Sequence, residues 1–114
     1  MNVQFDYLYR DAGNNKQSGA LIFSGEKVEK LEYVDEAIQR HLIDDMFFIA
    51  RDVGVPPLSF HDYDVNLDHD WHEYLGLSWT DMPATVGSDF DINNFIKLMS
   101  DSKKYQDRLF GRKT

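Results

Sequence analysis

The sequence predicts an α+β fold: an antiparallel sheet opening with an N-terminal hairpin, with helices near 31–44 and 90–110 packed on it. Three observations predict it. Strict alternation at the N-terminus, then a turn-rich stretch and an apolar run, is a hairpin pattern. Two later segments carry apolar residues at spacings of three and four, which is helix periodicity. The order strand, strand, helix, strands, helix suits an antiparallel sheet with helices on one face. The chain has 114 residues, 42% of them apolar, and no repeat or linker. One compact domain spanning 1–114 is therefore expected.

In residues 3–9, Val3, Phe5, Tyr7 and Tyr9 alternate with Gln4, Asp6 and Leu8, the pattern of a half-buried strand. Residues 11–18 (DAGNNKQS) are turn formers, and Gly13, Asn14 and Asn15 tolerate positive φ. Residues 19–23 (GALIF) supply the second strand, ended by Ser24 and Gly25. Leu31, Val34, Ile38 and Leu42 form one helix stripe over 31–44, with Asp35, Glu36, Gln39 and Arg40 outside it. The run 46–50 (MFFIA) is apolar throughout, and periodicity leaves buried strand and continuing helix both open. Gly54, Pro56 and Pro57 break what precedes them, and residues 58–60 suit a short edge strand. Residues 74–79 (YLGLSW) read as a strand with Leu75, Leu77 and Trp79 on one face. Residues 82–87 form a loop. Ser88 and Asp91 have capping-box spacing before Ile92, Phe95, Ile96 and Met99, whose spacing predicts a helix over 90–101. Residues 102–110 extend or restart it, and Gly111 ends the ordered part.

Composition excludes several function classes. With no cysteine there is no disulfide, thiolate zinc site or cysteine nucleophile. No apolar stretch approaches the roughly 20 residues that span a bilayer. The N-terminus MNVQFDYLYR lacks the basic start and apolar run of a secretion signal, so a cytoplasmic location is expected. A net charge of −8 argues against polymeric nucleic acid or a membrane surface as partner. That charge is uneven. Residues 1–100 hold 18 acids against 7 bases, a balance of −11; residues 101–114 hold 2 acids against 5 bases, a balance of +3. An acidic body thus carries a basic C-terminal segment. Such asymmetry hints at binding, although cations also suit the end of a helix.

Two constellations carry chemistry. Residues 61–73 (HDYDVNLDHDWHE) offer Asp62, Asp64, Asn66, Asp68, Asp70 and Glu73 as oxygen ligands, with Glu73 twelfth from Asp62 as in a calcium loop. Against this, Leu67 stands where the turn requires glycine, and no entering helix precedes the stretch. His69 and His72 could join a transition-metal site, but on a strand they face opposite ways and the spacing is not the zinc-protease one. The plainer expectation is that His72 or Trp71 packs on the sheet. No phosphate loop, nucleophile elbow or dinucleotide fingerprint is present, so no catalytic residue and no cofactor is expected.

The second constellation is the tail. Lys104, Arg108 and Arg112 recur every four residues, so on a helix they form one row. Arginine donates in a planar fork that matches phosphate. Any of Trp79, Phe90, Phe95, Tyr105 and Phe110 could stack a base for about 1–3 kcal/mol, and Asn93 or Asn94 could read a base or ribose edge. The plainer alternative makes these aromatics core and the tail a solvated helix end. A small phosphorylated nucleotide suits the row better than a polymer, which the acidic body would repel.

Residues 5–16 (FDYLYRDAGNNK) with Gly19 and Ile22-Phe23, HLIDD at 41–45, DHDWHEY at 68–74 and the paired C-terminal arginines together resemble the phage Thoeris anti-defence proteins of the first type. Asn15 departs from the aromatic expected in that hairpin. The resemblance covers most of the chain. It implies a non-catalytic sponge that binds cyclic ADP-ribose isomers made by bacterial TIR-domain enzymes, blocking anti-phage signalling in the host cytoplasm. It further implies a homo-oligomer, a dimer or larger, with ligand pockets between subunits. It assigns ligand contacts to an aromatic, either Phe90 or Trp79, and to Asn93, Arg108 and Arg112. The residues leave two other readings open: a metal- or calcium-binding domain or enzyme using 62–73, and an acidic inhibitor that mimics DNA.

Overall fold

The computed structural model describes residues 1–58, 71–87 and 89–109. The fold is α+β. Four strands, β1 (Asn2–Arg10), β2 (Lys16–Phe23), β3 (Phe47–Ile49) and β4 (Trp71–Thr80), form one antiparallel sheet in the order β2-β1-β4-β3. Helix α1 (Leu31–Arg40) follows β2, and α2 (Ile92–Leu109) follows β4.

The alternation in β1 decides which face is covered. Val3, Phe5, Tyr7 and Tyr9 are at most 2% exposed, whereas Gln4, Asp6, Leu8 and Arg10 on the other face are half-buried. Helix residues Ile38, Ile92, Phe95 and Met99 complete the core over the first face. Phe5 sits among Tyr7, Phe48, Tyr74 and Phe95, with ring centroids 5.0–5.8 Å apart. Each fully buried ring of this kind contributes about 1.5–3 kcal/mol by leaving water. The hairpin closes as its sequence predicts. Asn14 takes a left-handed φ of 64°, and the Asp11 carboxylate accepts from the Asn15 amide at 2.9 Å. Strand β2 is longer than the apolar run alone, because the ladder continues down to Lys16.

Three expectations are corrected. The stripe over 31–44 places Leu42 correctly in the core, but α1 stops at Arg40. Asp44 and Asp45 adopt φ of 51° and 61°, and this left-handed pair turns the chain so that Ile43 and Phe47 exchange hydrogen bonds of 2.7 and 2.9 Å. Asp is among the few residues that tolerate this region. The open choice over 46–50 thereby resolves as a short strand, β3, followed by a 3₁₀ turn at Ala50–Val53.

The second correction concerns β4. It begins at Trp71, and its register shifts between Asp6 and Tyr7 of β1, where Leu75 is the extra residue of a bulge. Gly76 there has φ of 146°, a conformation side chains resist. Leu75 therefore does not share a face with Leu77 and Trp79 and is exposed; Tyr74 and His72 take the core-facing positions instead.

The third is the cap of α2. Asp91 itself is the cap: its carboxylate accepts from the Asn94 amide, and the Asn94 side chain accepts from the Asp91 amide, both at 3.0 Å. Ser88 and the end of the chain from 110, including Gly111, lie outside the described residues, as does the edge strand expected near 58–60 except for Leu58, which is not in a strand. The stretch after 101 continues α2 without a break.

The Asn94 amide and Lys27 hold the Asp91 carboxyl below the usual range. A carboxyl so lowered contributes stability above the unfolded value near 3.9, and that stability is lost as pH falls further. Asp91→Ala is expected to cost about 1 kcal/mol at pH 7 and far less at pH 2.5. Thermal unfolding at both pH values checks this; an equal cost at both would contradict the capping role.

Tyr74 ties α1 to the sheet. Its hydroxyl donates to Asp35 at 2.5 Å. Burial first, then the Asp35 bond and the Asp35 and Asp6 charges, raises the phenol well above the ordinary tyrosine range. A raised group supports the fold below its unfolded value near 10, and that support fades as pH climbs beyond it. Tyr74→Phe is expected to cost roughly 1–2 kcal/mol at pH 7 and to flatten the fall in stability above pH 10. An alkaline limb identical in both proteins, followed by urea unfolding, would rule this out.

Candidate functional site

The two helices run side by side in the same direction. Lys27, just before α1, pairs with Asp91 at the head of α2 at 3.0 Å. At the other end, His41 closes α1 within electrostatic reach of Lys103 and Lys104 of α2. This geometry sorts the predicted binding residues into two groups.

The aromatic group lies at the helix starts. Trp79, near the end of β4, is 40% exposed, and Tyr33 in the first turn of α1 is 62% exposed. With Glu29, Lys30, Leu31 and Glu32 they line a cleft of ≈ 570 Å³, within the ordinary range for small-molecule sites. Lys30 Nζ stands 5.4 Å from the centre of the Tyr33 ring. Asn93 is exposed in the first turn of α2. Phe90 is half-buried and lines a separate apolar cavity of ≈ 190 Å³ with Phe23 and Phe95. Of the two aromatics proposed to stack a base, Trp79 is the one on an open cleft.

The cationic group lies at the helix ends. Lys104 and Arg108 are exposed and four apart on α2, as their spacing predicts. Neither has an ion-pair partner among the described residues. Lys103 differs, because it pairs at 2.9 Å with the buried Asp107. His41 registers the local field. Its imidazole is held below its ordinary value by burial first, and then by Arg40, Lys104 and Lys103. Positive charge here repels a further proton and attracts an anion. Arg112 lies outside the described residues.

The two groups do not meet within one chain. Fifteen residues of α2 separate Asn93 from Arg108, roughly 22 Å along the axis at the helical rise per residue. Exposed Tyr105 and Leu109 accompany the cations, while Glu29 and Glu32 accompany Trp79. Each end thus carries apolar surface together with the charge that complements the other.

Three contributors are not among the binding residues that the sequence suggests. Tyr33 falls outside the stripe of Leu31, Val34 and Ile38, and an aromatic on the wet side of a helix is the signal that marks it. Arg40 and His41 carry no such signal, since only the parallel course of the helices brings them beside the tail.

Of the 62–73 cluster, Asp62, Asp64, Asn66, Asp68 and Asp70 lie outside the described residues. Glu73 faces away from the core and pairs with Arg10 at 3.0 Å. His72 packs on the sheet, as the plainer expectation has it, against Tyr7, Tyr9 and Phe48. Among the described residues no three His, Cys, Asp or Glu side chains gather as metal ligands. No helix among them is long and apolar enough to cross a membrane. No family model matches the chain, and no curated protein or solved structure is detectably similar to it.

Proposed function

We propose that the protein is a non-catalytic binding protein that sequesters a small cyclic nucleotide, a cyclic ADP-ribose isomer, and so withdraws the messenger of a bacterial anti-phage response in the host cytoplasm. The observation that carries this reading is the row of exposed Lys104 and Arg108, without ion partners among the described residues, on a chain otherwise strongly acidic. Evolution of an idle cationic row on such a body makes sense if an anion fills it. Phosphate oxygens accept charge-assisted bonds from both residues, and Arg112 lies in the same sequence row. Trp79, with Tyr33 beside it, offers an adenine a stacking face. Holding such a ligand needs no activated nucleophile.

The roughly 22 Å along α2 between Asn93 and Arg108 exceeds the reach of one small cyclic nucleotide. The site is therefore composite: the basic end of one copy meets the Trp79 cleft of another. Tyr105 and Leu109 then pack on the aromatic cleft, and Lys104 and Arg108 hold the phosphates of the ligand stacked there.

Mixing two defective proteins tests this arrangement. Neither Trp79→Ala nor the pair Lys104→Ala with Arg108→Ala is expected to bind a cyclic ADP-ribose isomer alone. After dissociation and reassembly together, mixed oligomers regain intact sites. Failure of the mixture to regain binding, although mixed oligomers form, would rule out a site shared between copies.

A further inference from the structure

Strand β2 is an outer strand of the sheet, and among the described residues only one end of its outer edge is closed. Thr85 and Val86 donate their backbone N–H groups to the Ile22 carbonyl at 2.9 and 3.2 Å, and the Ile22 N–H donates to Thr85 Oγ1 at 2.9 Å. The peptide groups of Ile22 thus point away from β1. Backbone direction alternates along a strand, so those of Lys16, Ser18 and Ala20 point the same way. The side chains of these three residues are exposed, and no hydrogen bond crosses their edge among the described residues. Proteins usually guard such an edge with proline, a bulge or a central charge. Residues 17–21 (QSGAL) hold no proline and no charge, and their pairing with β1 is regular.

We propose that this edge pairs with the same edge of a second copy, β2 against β2, about a two-fold axis at Ser18. The ends of the edge fix the axis. Ile22 is closed by Thr85 and Val86, and at the other end the chain turns away at Asn14, with its φ of 64°. An axis at Gly19 sets Lys16 against the closed Ile22, and one at Gln17 sets Ala20 against the turn at Asn14. At Ser18, the two serines lie opposite each other and Lys16 lies opposite Ala20, so every outward N–H of one copy meets an outward carbonyl of the other. Charge makes a second copy the fitting occupant. Asp6 of β1 is level with Ala20, and Lys16 of the second copy falls level with Ala20 on its other side. Residues directly opposite share a face, so Asp6 and that Lys16 stand two strand spacings apart, about 9.6 Å. A lysine side chain bridges this gap across the small Ala20. Neither Asp6 nor Lys16 has an ion pair among the described residues. The two-fold makes the contact twice. So short an edge gives a weak, reversible pair. The pairing does not rest on the nucleotide reading, since it uses none of the proposed ligand contacts.

The chain has no cysteine, so one introduced thiol reports the axis. Opposite Cα atoms in a hydrogen-bonded antiparallel pair stand about 5.5 Å apart, within the roughly 4.4–6.8 Å that a disulfide bridges. Under mild oxidation at micromolar protein, Ser18→Cys is expected to form a linked dimer roughly tenfold or more faster than Leu8→Cys on the interior strand β1, because docking holds the two thiols at millimolar effective concentration. Adding Ala20→Pro removes an outward N–H and no rung to β1, so it is expected to slow linking to the control rate with the fold kept. Adding Lys16→Asp to Ser18→Cys is expected to slow linking, and adding Asp6→Lys as well is expected to restore it. Equal linking of Ser18→Cys and Leu8→Cys overturns the pairing. So does linking that Ala20→Pro leaves unchanged, because that describes random collision of exposed thiols. In the natural protein, amide exchange at Ser18 and Ala20 is expected to slow as concentration rises, while Gln17, bonded to β1, stays constant. Exchange at Ser18 and Ala20 that ignores concentration overturns the proposal even if a variant does not fold.

Discussion

Replacing Lys104 and Arg108 together by alanine is expected to weaken capture of a cyclic ADP-ribose isomer by roughly a hundredfold or more, with the fold intact. Each charged donor to a phosphate contributes about 1.5–3 kcal/mol, and 1.4 kcal/mol is tenfold in affinity. Both side chains project into solvent from the last turns of α2 and make no described ion pair, so their removal leaves the core untouched. Alanine is also the best helix former, which keeps α2 in place. The natural partner of these cations is therefore read from the ligand and not from stability. Calorimetry on the double variant checks this. Undiminished affinity takes the end of α2 out of the site. A matched loss of thermal stability would make the row structural instead.

Phe95→Ala is expected to have the largest effect on stability, about 3–5 kcal/mol. Phe95 is 0% exposed and stands where the two layers join. Its ring meets Phe5 of β1 edge-on at 5.0 Å and Phe23 of β2 at 5.3 Å. Removing the ring leaves a cavity between α2 and two strands that cannot collapse without moving all three. Such a loss is a large part of the 5–15 kcal/mol that holds an ordinary domain together. Urea unfolding measures it. A cost below about 1 kcal/mol would show that the helix layer is not packed on the sheet through this residue.

The hairpin, the apolar stripe of α1 and the apolar face of α2 over 92–99 are legible because each follows one period. Where the expectation goes wrong, a single residue changes the count. Leu75 adds one position to β4 opposite β1, and from there every earlier side chain faces the other way. Helix α1 stops at Arg40, four residues short of the expected end at 44, and Asp44 and Asp45 turn the chain beyond it. Neither event leaves a mark in the period, because bulges and left-handed pairs are decided by pairing with a neighbour strand. Resolving 46–50 into a short strand likewise depends on β4 lying alongside.

The candidate site shows the same division. Its residue types are legible: a cationic row at spacing four, and a tryptophan at the end of an amphipathic strand. Their arrangement is not. Spacing within α2 gives the distance from Asn93 to Arg108, but only the pairing of Lys27 with Asp91, and the nearness of His41 to the lysines of α2, reveals that the cations and the aromatic cleft occupy opposite ends of the helix layer. The sequence places Phe90 and Trp79 on equal footing. Packing separates them, since Phe90 turns toward Phe23 and Phe95 while Trp79 stays on the cleft.

The central claim is capture without chemistry, and one measurement addresses it most directly. The natural protein is saturated with a cyclic ADP-ribose isomer in a calorimeter, then heat-denatured, and the released ligand is weighed by mass spectrometry. Saturable binding, with the ligand recovered at its original mass, is the predicted result. Absence of any binding heat across the isomers, or release of a linear or cleaved product, would contradict it.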